Sequence, residues 1–329
     1  MNGHPLEKRS GLDKIRFAQG QAKCREAFRN AARRSGRGAV SLVNGADLSF
    51  ACLYILRPEI LELRLSPELN RRNILALRIT DHILRPQGAP RTVRLSAKSR
   101  DMQSVLRWML QTGDADGADS GLEQVLDVAA CVLLKAYRDQ SVLPLVADMI
   151  FARGRKGHYI HDLVWAAFQA RDPAVLTLFA QRLLSGEAED ARLARELLQI
   201  ESQDADGAPD PHAAYDAYLR WLAENDPYLY FTDENFQLSG RPRFCRVDLE
   251  RKYLQKGTPS YDNAPLRLSG ENEQKALAAF KALDAEDQSA LSDYSRRMHE
   301  ENPAAWEAWA RAPIAEQLEA AKSRTGGSK

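Results

Sequence analysis

Residues 112–123, TGDADGADSGLE, carry oxygen-bearing side chains at the spacing of a calcium loop set between two helices. Such a loop needs oxygen ligands at positions 1, 3 and 5, glycine at 6 and a bidentate glutamate at 12. With Thr112 at position 1, Asp114, Asp116, Gly117 and Glu123 fall at 3, 5, 6 and 12. Thr112 brings no charge, however, and Asp119 stands at position 8, where loop pairing favours an apolar side chain. A second DADGA lies within residues 202–213, with Ser202 at position 1 and Ala213 at position 12, so its bidentate ligand is missing. Asp, Gly and Ser are also turn formers, through their own backbone hydrogen bonds and tolerance of unusual dihedrals. The shared segment therefore reads as loop chemistry between helices, and no metal or cofactor site is assigned.

GHYIHD, residues 157–162, raises a second possibility for chemistry. His158 and His161 are three apart and can share a helix face. His161-Asp162 resembles the paired His-Asp of HD-type metal phosphohydrolases, with His82 as an upstream ligand. That resemblance implies ions held by these side chains to activate water. The family's distal aspartate is not distinguished among the many here. The plainer reading puts His161 at a helix boundary and Asp162 in solvent. No Gly-rich phosphate loop, GxSxG elbow or Cys/His dyad accompanies them.

Basic residues form two groups: Arg29, Arg33, Arg34 and Arg37 in RNAARRSGR, and Arg153, Arg155 and Lys156 in ARGRKGH. Either nucleic-acid phosphates or an acidic protein surface would satisfy them. Over residues 1–110 there are 21 Lys/Arg against 9 Asp/Glu, a net of +12, and the remaining residues carry −11, for +1 overall. A chain so nearly neutral gains little long-range attraction to a polyanion. Docking against acidic protein, whether a partner, a neighbouring copy or the chain's own acidic part, is therefore the preferred reading, with nucleic acid as the alternative partner.

No apolar run approaches the roughly 18 residues that a membrane span requires, and the first residues lack the apolar core of a secretory signal. Cys24, Cys52, Cys131 and Cys245 form no CxxC pair, which fits reduced thiols and a cytoplasmic setting.

Helical signals run along most of the chain. One helix is expected over 12–34, weakened at Gly20 and closed by a flexible SGRG. A second, within residues 44–58, should stop before Pro58. A third should open on Ser66 as N-cap, with Pro67 and Glu68 in its first turn. Residues 96–111 and 121–138 flank the first DADGA loop. Four amphipathic helices then follow with short joints, the third opened by Asp172-Pro173 as N-cap and first-turn proline and stopped by Gly186. The pairs 142–171 and 172–201 repeat at about 30 residues, the period of stacked helical hairpins. Over 120–201 the chain resembles HEAT-like α-solenoid repeats, with DPAVLTLFAQRLLSG as the best match. That resemblance implies a scaffold with a concave binding face.

Beyond residue 205 the repeat logic ends. Residues 214–265 hold ten of the 25 Phe, Tyr and Trp, far above their share, so aromatic packing should order this segment. FCRVDL suits a short strand. Asp284 and Asn302-Pro303 are expected N-caps of the last helices, and Trp306 and Trp309 are expected in the core. The fold expected is all-α: a basic segment 1–37, a HEAT-like hairpin array 38–205, and a mostly helical, aromatic-rich C-terminal domain 206–329. The expected function is a non-catalytic protein-binding scaffold, adaptor or assembly subunit, without cofactor. Its alternatives are a nucleic-acid-associated protein and a metal-dependent HD-like phosphohydrolase.

Overall fold

A computed structural model describes residues 9–86, 95, 99–113, 119–200, 210–257 and 264–325. Asp114, Asp116, Gly117 and Ser202 lie outside the described residues. The chain is all-α, with seventeen α-helices among the described residues beside one two-stranded sheet. It divides into two compact units, Met1–Ala170 and Arg171–Lys329. No described helix is long and apolar enough to cross a membrane.

The first unit holds α1 (Gly11–Gln19), α2 (Gln21–Arg34), α3 (Gly36–Val43), α4 (Phe50–Glu62), α5 (Arg71–Leu84), α6 (Arg100–Gly113), α7 (Ser120–Cys131), α8 (Leu143–Arg155) and α9 (His161–Gln169). Each packs on near neighbours: α1 on α2, α2 on α3 and α4, α4 on α5 and α6, α6 on α7, and α7 and α8 on α9. Such neighbour-on-neighbour packing is compatible with a helical-repeat fold. Phe28, Phe50, Phe151 and Phe168 are fully buried in it.

Four boundaries differ from the sequence expectation, at Gly20, SGRG, Pro58 and Ser66. Gly20 splits the first helix in two, because it sits at φ 86°, a conformation that side-chain-bearing residues rarely adopt. SGRG does not break the chain. Ser35 accepts a hydrogen bond from the Gly38 N–H at 3.1 Å and starts α3, whose Ala39, Val40 and Val43 are buried. Helix α4 does not stop at Pro58 but continues to Glu62. Pro58 is exposed while Glu59 and Ile60 beyond it are buried, so packing sustains the helix past the lost N–H. In the turn the proline disturbs, the Ile55 carbonyl accepts from Arg25 Nε at 3.1 Å.

Ser66–Glu68 form only a short 3₁₀ turn, and α5 opens three residues after it with Asn70 as its cap, accepting from the Asn73 N–H at 2.9 Å. Asn70 wins because its backbone is anchored as well: its N–H donates to Asn44 Oδ1 at 2.7 Å. After α7 the chain continues through one wide π-helical turn, Val132–Ala136.

The second unit contains α10 (Ala174–Ala180), α11 (Ala188–Leu198), α12 (Pro211–Asn225), β1 (Leu229–Phe231), β2 (Cys245–Val247), α13 (Leu249–Tyr253), α14 (Glu271–Lys281), α15 (Ala285–Glu301), α16 (Pro303–Ala310) and α17 (Ile314–Thr325). Pro173, not Asp172, stands at the N-cap position of α10, and Asp172 before it accepts from the Ala174 N–H at 2.8 Å. The expected strand in FCRVDL is β2, and it pairs antiparallel with β1, Tyr230 opposite Arg246. Asp284 and Asn302 cap α15 and α16 as their sequences indicate. Tyr253, Phe280, Tyr294 and Trp309 form a buried aromatic core, with Trp306 packed against it. Tyr253 and Phe280 stack at 4.5 Å and Trp309 meets Tyr253 edge-on at 6.1 Å. Contacts of this kind contribute about 0.5–1.5 kcal/mol each beyond area burial.

Candidate functional site

Helix α7 presents Glu123, Asp127 and Cys131 at four-residue intervals, hence along one face. Opposite this row lie the end of α8, the following joint and the start of α9. Arg153 Nη1 donates to Asp127 Oδ1 at 2.7 Å, and its Nε lies 4.0 Å from Glu123 Oε1. His158 Nδ1 is 2.9 Å from Glu123 Oε1. The Cys131 thiol donates to the Asp162 carbonyl at 3.7 Å, and the Tyr159 hydroxyl donates to Asp162 Oδ1 at 3.3 Å. The Tyr159 and His161 rings lie 4.9 Å apart.

Asp127 is 5% exposed and Arg153 8% exposed. Burial raises the Asp127 carboxyl to about 6, against the pull of Arg153, and the nearby charges of Asp162 and Glu123 push the same way. Burial likewise pushes the Cys131 thiol up to about 12, where it is a poor nucleophile. Arg153 is thus an internal counter-charge that prevents an isolated carboxylate in the core. This junction joins three helices, and its buried cation, Arg153, is already engaged.

The residues of the phosphohydrolase resemblance do not gather into a ligand set here. His161 opens α9 and, like Asp162, is exposed. His82, on α5, lies with its Nδ1 2.9 Å from Arg85 Nη1. Among the described residues, no group of three or more His, Cys, Asp or Glu side chains is placed to hold a metal ion. The two described ligands of the loop motif also have other partners. Thr112 Oγ1 accepts from the Phe50 N–H at 2.9 Å and donates to the Trp108 carbonyl at 2.8 Å, while Glu123 faces His158. Asp119 is the N-cap of α7 and accepts from the Tyr54 hydroxyl at 2.8 Å.

The basic groups separate by environment. Arg29 donates to Glu59 Oε1 at 3.1 Å and approaches Glu62 at 3.9 Å, so it serves the α2–α4 packing. Arg155 and Lys156 are exposed at the C-terminal end of α8, where the helix dipole favours positive charge. Arg33 and Arg34 end α2 and Arg37 is the second residue of α3, with only Ser35 and Gly36 between. All three arginines are exposed, and none has an ion-pair partner among the described residues. Arg37 stands in the first turn of α3, where the dipole opposes a cation, so helix stability does not account for its charge.

Two clusters had no signal in the sequence. Asp127 and Arg153 are 26 residues apart and meet only because α7 and α8 both pack on α9. Cys24 and Cys52, 28 residues apart on α2 and α4, bring their sulfurs to 3.6 Å. Compared with protein-family models, curated proteins and solved structures, the chain matches none.

Proposed function

We propose that this protein is a non-catalytic, cytoplasmic protein-binding scaffold built of HEAT-like helical hairpins, which docks on an acidic protein surface through the α2–α3 corner. The carrying observation is the exposure of Arg33, Arg34 and Arg37 without an ion-pair partner among the described residues. Charge distribution supports it. The first unit carries 26 Lys/Arg against 17 Asp/Glu, a net of +9, and the second 20 against 28, a net of −8. The net-acidic second unit of another copy of this chain is therefore a candidate partner, as are other acidic proteins. The interleaved aromatics of a base-stacking surface are missing around the corner: none occurs between Phe28 and Phe50.

The test compares the wild-type chain with Arg33→Glu/Arg34→Glu/Arg37→Glu by light scattering after size exclusion, by affinity capture from the native host with and without nuclease, and by gel-shift titration. Docking predicts that the variant loses its assembly state or its captured protein, while nucleic-acid binding is negligible for both. Phosphate binding predicts instead a log–log salt slope of about −0.9 for each phosphate neutralised on duplex DNA. Tight nucleic-acid binding at physiological salt, lost in the variant with assembly unchanged, would replace docking with the nucleic-acid reading. Identical assembly and capture for the two chains would remove the corner from the function.

A further inference from the structure

Cys24 lies on α2 and Cys52 in the first turn of α4, both with no exposed surface, and both are free thiols. Their sulfurs are 3.6 Å apart. A disulfide needs about 2.05 Å, so side-chain rotation and a small helix adjustment must close a gap of roughly 1.5 Å. The hydrogen bonds give the two thiols different roles. The Cys24 thiol donates to the Leu12 carbonyl at 3.5 Å. The Cys52 S–H is thereby directed onto the Cys24 sulfur. That hydrogen bond favours a Cys24 thiolate and lowers the Cys24 thiol, while it and burial hold the Cys52 thiol well above the usual range. Cys24 is also the thiol that bonds α1, through the Leu12 carbonyl, so it is the first to be exposed if α1 opens.

Helix α1 packs on α2 at Cys24, whose thiol bonds the Leu12 carbonyl of α1. This helix has nine residues, too few to persist without tertiary support. It is attached to α2 through Gly20 at φ 86°. Beside the buried Leu12, its polar tie to the unit is Asp13, which accepts from the Ser49 N–H at 3.0 Å, and the Ser10 hydroxyl of the helix's own N-cap steadies that carboxylate at 2.7 Å. An opening of α1 about Gly20 would uncover Cys24 while the rest of the unit stays folded.

We propose that Cys24 and Cys52 are a paired oxidation site, in which hydrogen peroxide converts the two thiols to an intrachain disulfide joining α2 to α4. Cys24 sulfur attacks one peroxide oxygen, the O–O bond breaks, and the other oxygen leaves as water, giving a sulfenic acid at Cys24. Cys52 sulfur then attacks the Cys24 sulfur, and the S–O bond breaks. The hydroxyl takes up the Cys52 proton and leaves as a second water. Two thiols and one peroxide become one disulfide and two waters. The cross-link fixes α2, which carries the Arg33 and Arg34 end, to the buried helix α4.

The experiment uses the full chain with Cys131→Ser and Cys245→Ser, so that only the pair remains. It is treated with hydrogen peroxide under native conditions, blocked by alkylation, digested and mapped by mass. The expected product lacks two hydrogens across the Cys24 and Cys52 peptides, regains them on reduction and contains no intermolecular link. Adding Cys52→Ser should leave a Cys24 sulfenic acid that a dimedone probe captures. Ser10→Ala, which weakens the α1 cap, should speed cross-linking about fivefold. If Cys52→Ser does not fold, the map of the chain retaining Cys52 still decides. Both thiols remaining free after prolonged peroxide would overturn the proposal, as would Cys24 passing to sulfinic acid with Cys52 untouched. An unchanged rate in Ser10→Ala would overturn the α1 opening route.

Discussion

His158 Nδ1 lies 2.9 Å from Glu123 Oε1, across 35 residues of sequence. One comes from the joint after α8 and the other from the first turn of α7. Two stretches that each suggest metal chemistry when read alone are thus partners of one another. Beneath them lies the buried Asp127–Arg153 pair.

That pair makes stability depend on pH. An unfolded Asp127 titrates near 3.8, and the folded one near 6. Between these values the folded state keeps a proton that the unfolded state has lost, so stability falls as pH rises. The cost of charging Asp127 is absent below about pH 4 and complete above about pH 7, on the order of 3 kcal/mol. Asp127→Asn, which keeps an oxygen for Arg153, removes this cost. Its stability relative to wild type should improve by on the order of 1 kcal/mol between pH 5 and pH 8. Urea unfolding at the two pH values measures it, and a pH-independent difference would contradict the raised carboxyl.

Arg153 should behave unlike its sequence neighbours. Arg153→Ala leaves Asp127 buried with its main partner gone and should cost about 3 kcal/mol or more at pH 8. Arg155→Ala and Lys156→Ala, at exposed positions, should each cost no more than about 1 kcal/mol. Equal losses for all three in thermal unfolding would mean that Arg153 does not hold Asp127.

Calcium should leave the melting temperature unchanged at millimolar concentration. Thr112 is held by Phe50 and Trp108, and Glu123 faces His158 and Arg153. A ligand stabilises only by binding the folded state in preference to the unfolded one. A calcium-dependent rise in Tm, abolished by Glu123→Gln, would restore the loop as a metal site.

Pro58→Ala should stabilise the first unit. The exposed proline interrupts a helix that continues to Glu62, and alanine restores a donor for the Tyr54 carbonyl. The helix penalty of about 3 kcal/mol is partly offset because proline also restricts the unfolded chain. A net gain of about 1–2 kcal/mol should appear as a higher urea midpoint with an unchanged slope. A loss would show that α4 requires the bend.

Local chemistry determined what the sequence could reveal on its own. Asp284 and Asn302 act as caps, and Asp172 bonds the first N–H of α10, because the N–H groups they serve lie two or three residues away. The all-α class follows from such signals repeated along the chain, and the aromatic-rich stretch buries Tyr218, Tyr228, Phe231, Phe244 and Tyr253 as its composition demanded. Local signals fail where two of them compete or packing overrides one. Ser66 loses to Asn70 through a bond to Asn44, and Pro58 does not end α4 because Ile60 beyond it is buried. Tertiary structure alone decided the side-chain constellations. Glu123 with His158, Asp127 with Arg153, and Cys24 with Cys52 are separated by 35, 26 and 28 residues. Which of many equivalent charges and thiols meet is set by the packing of whole helices, a property no short window of sequence contains.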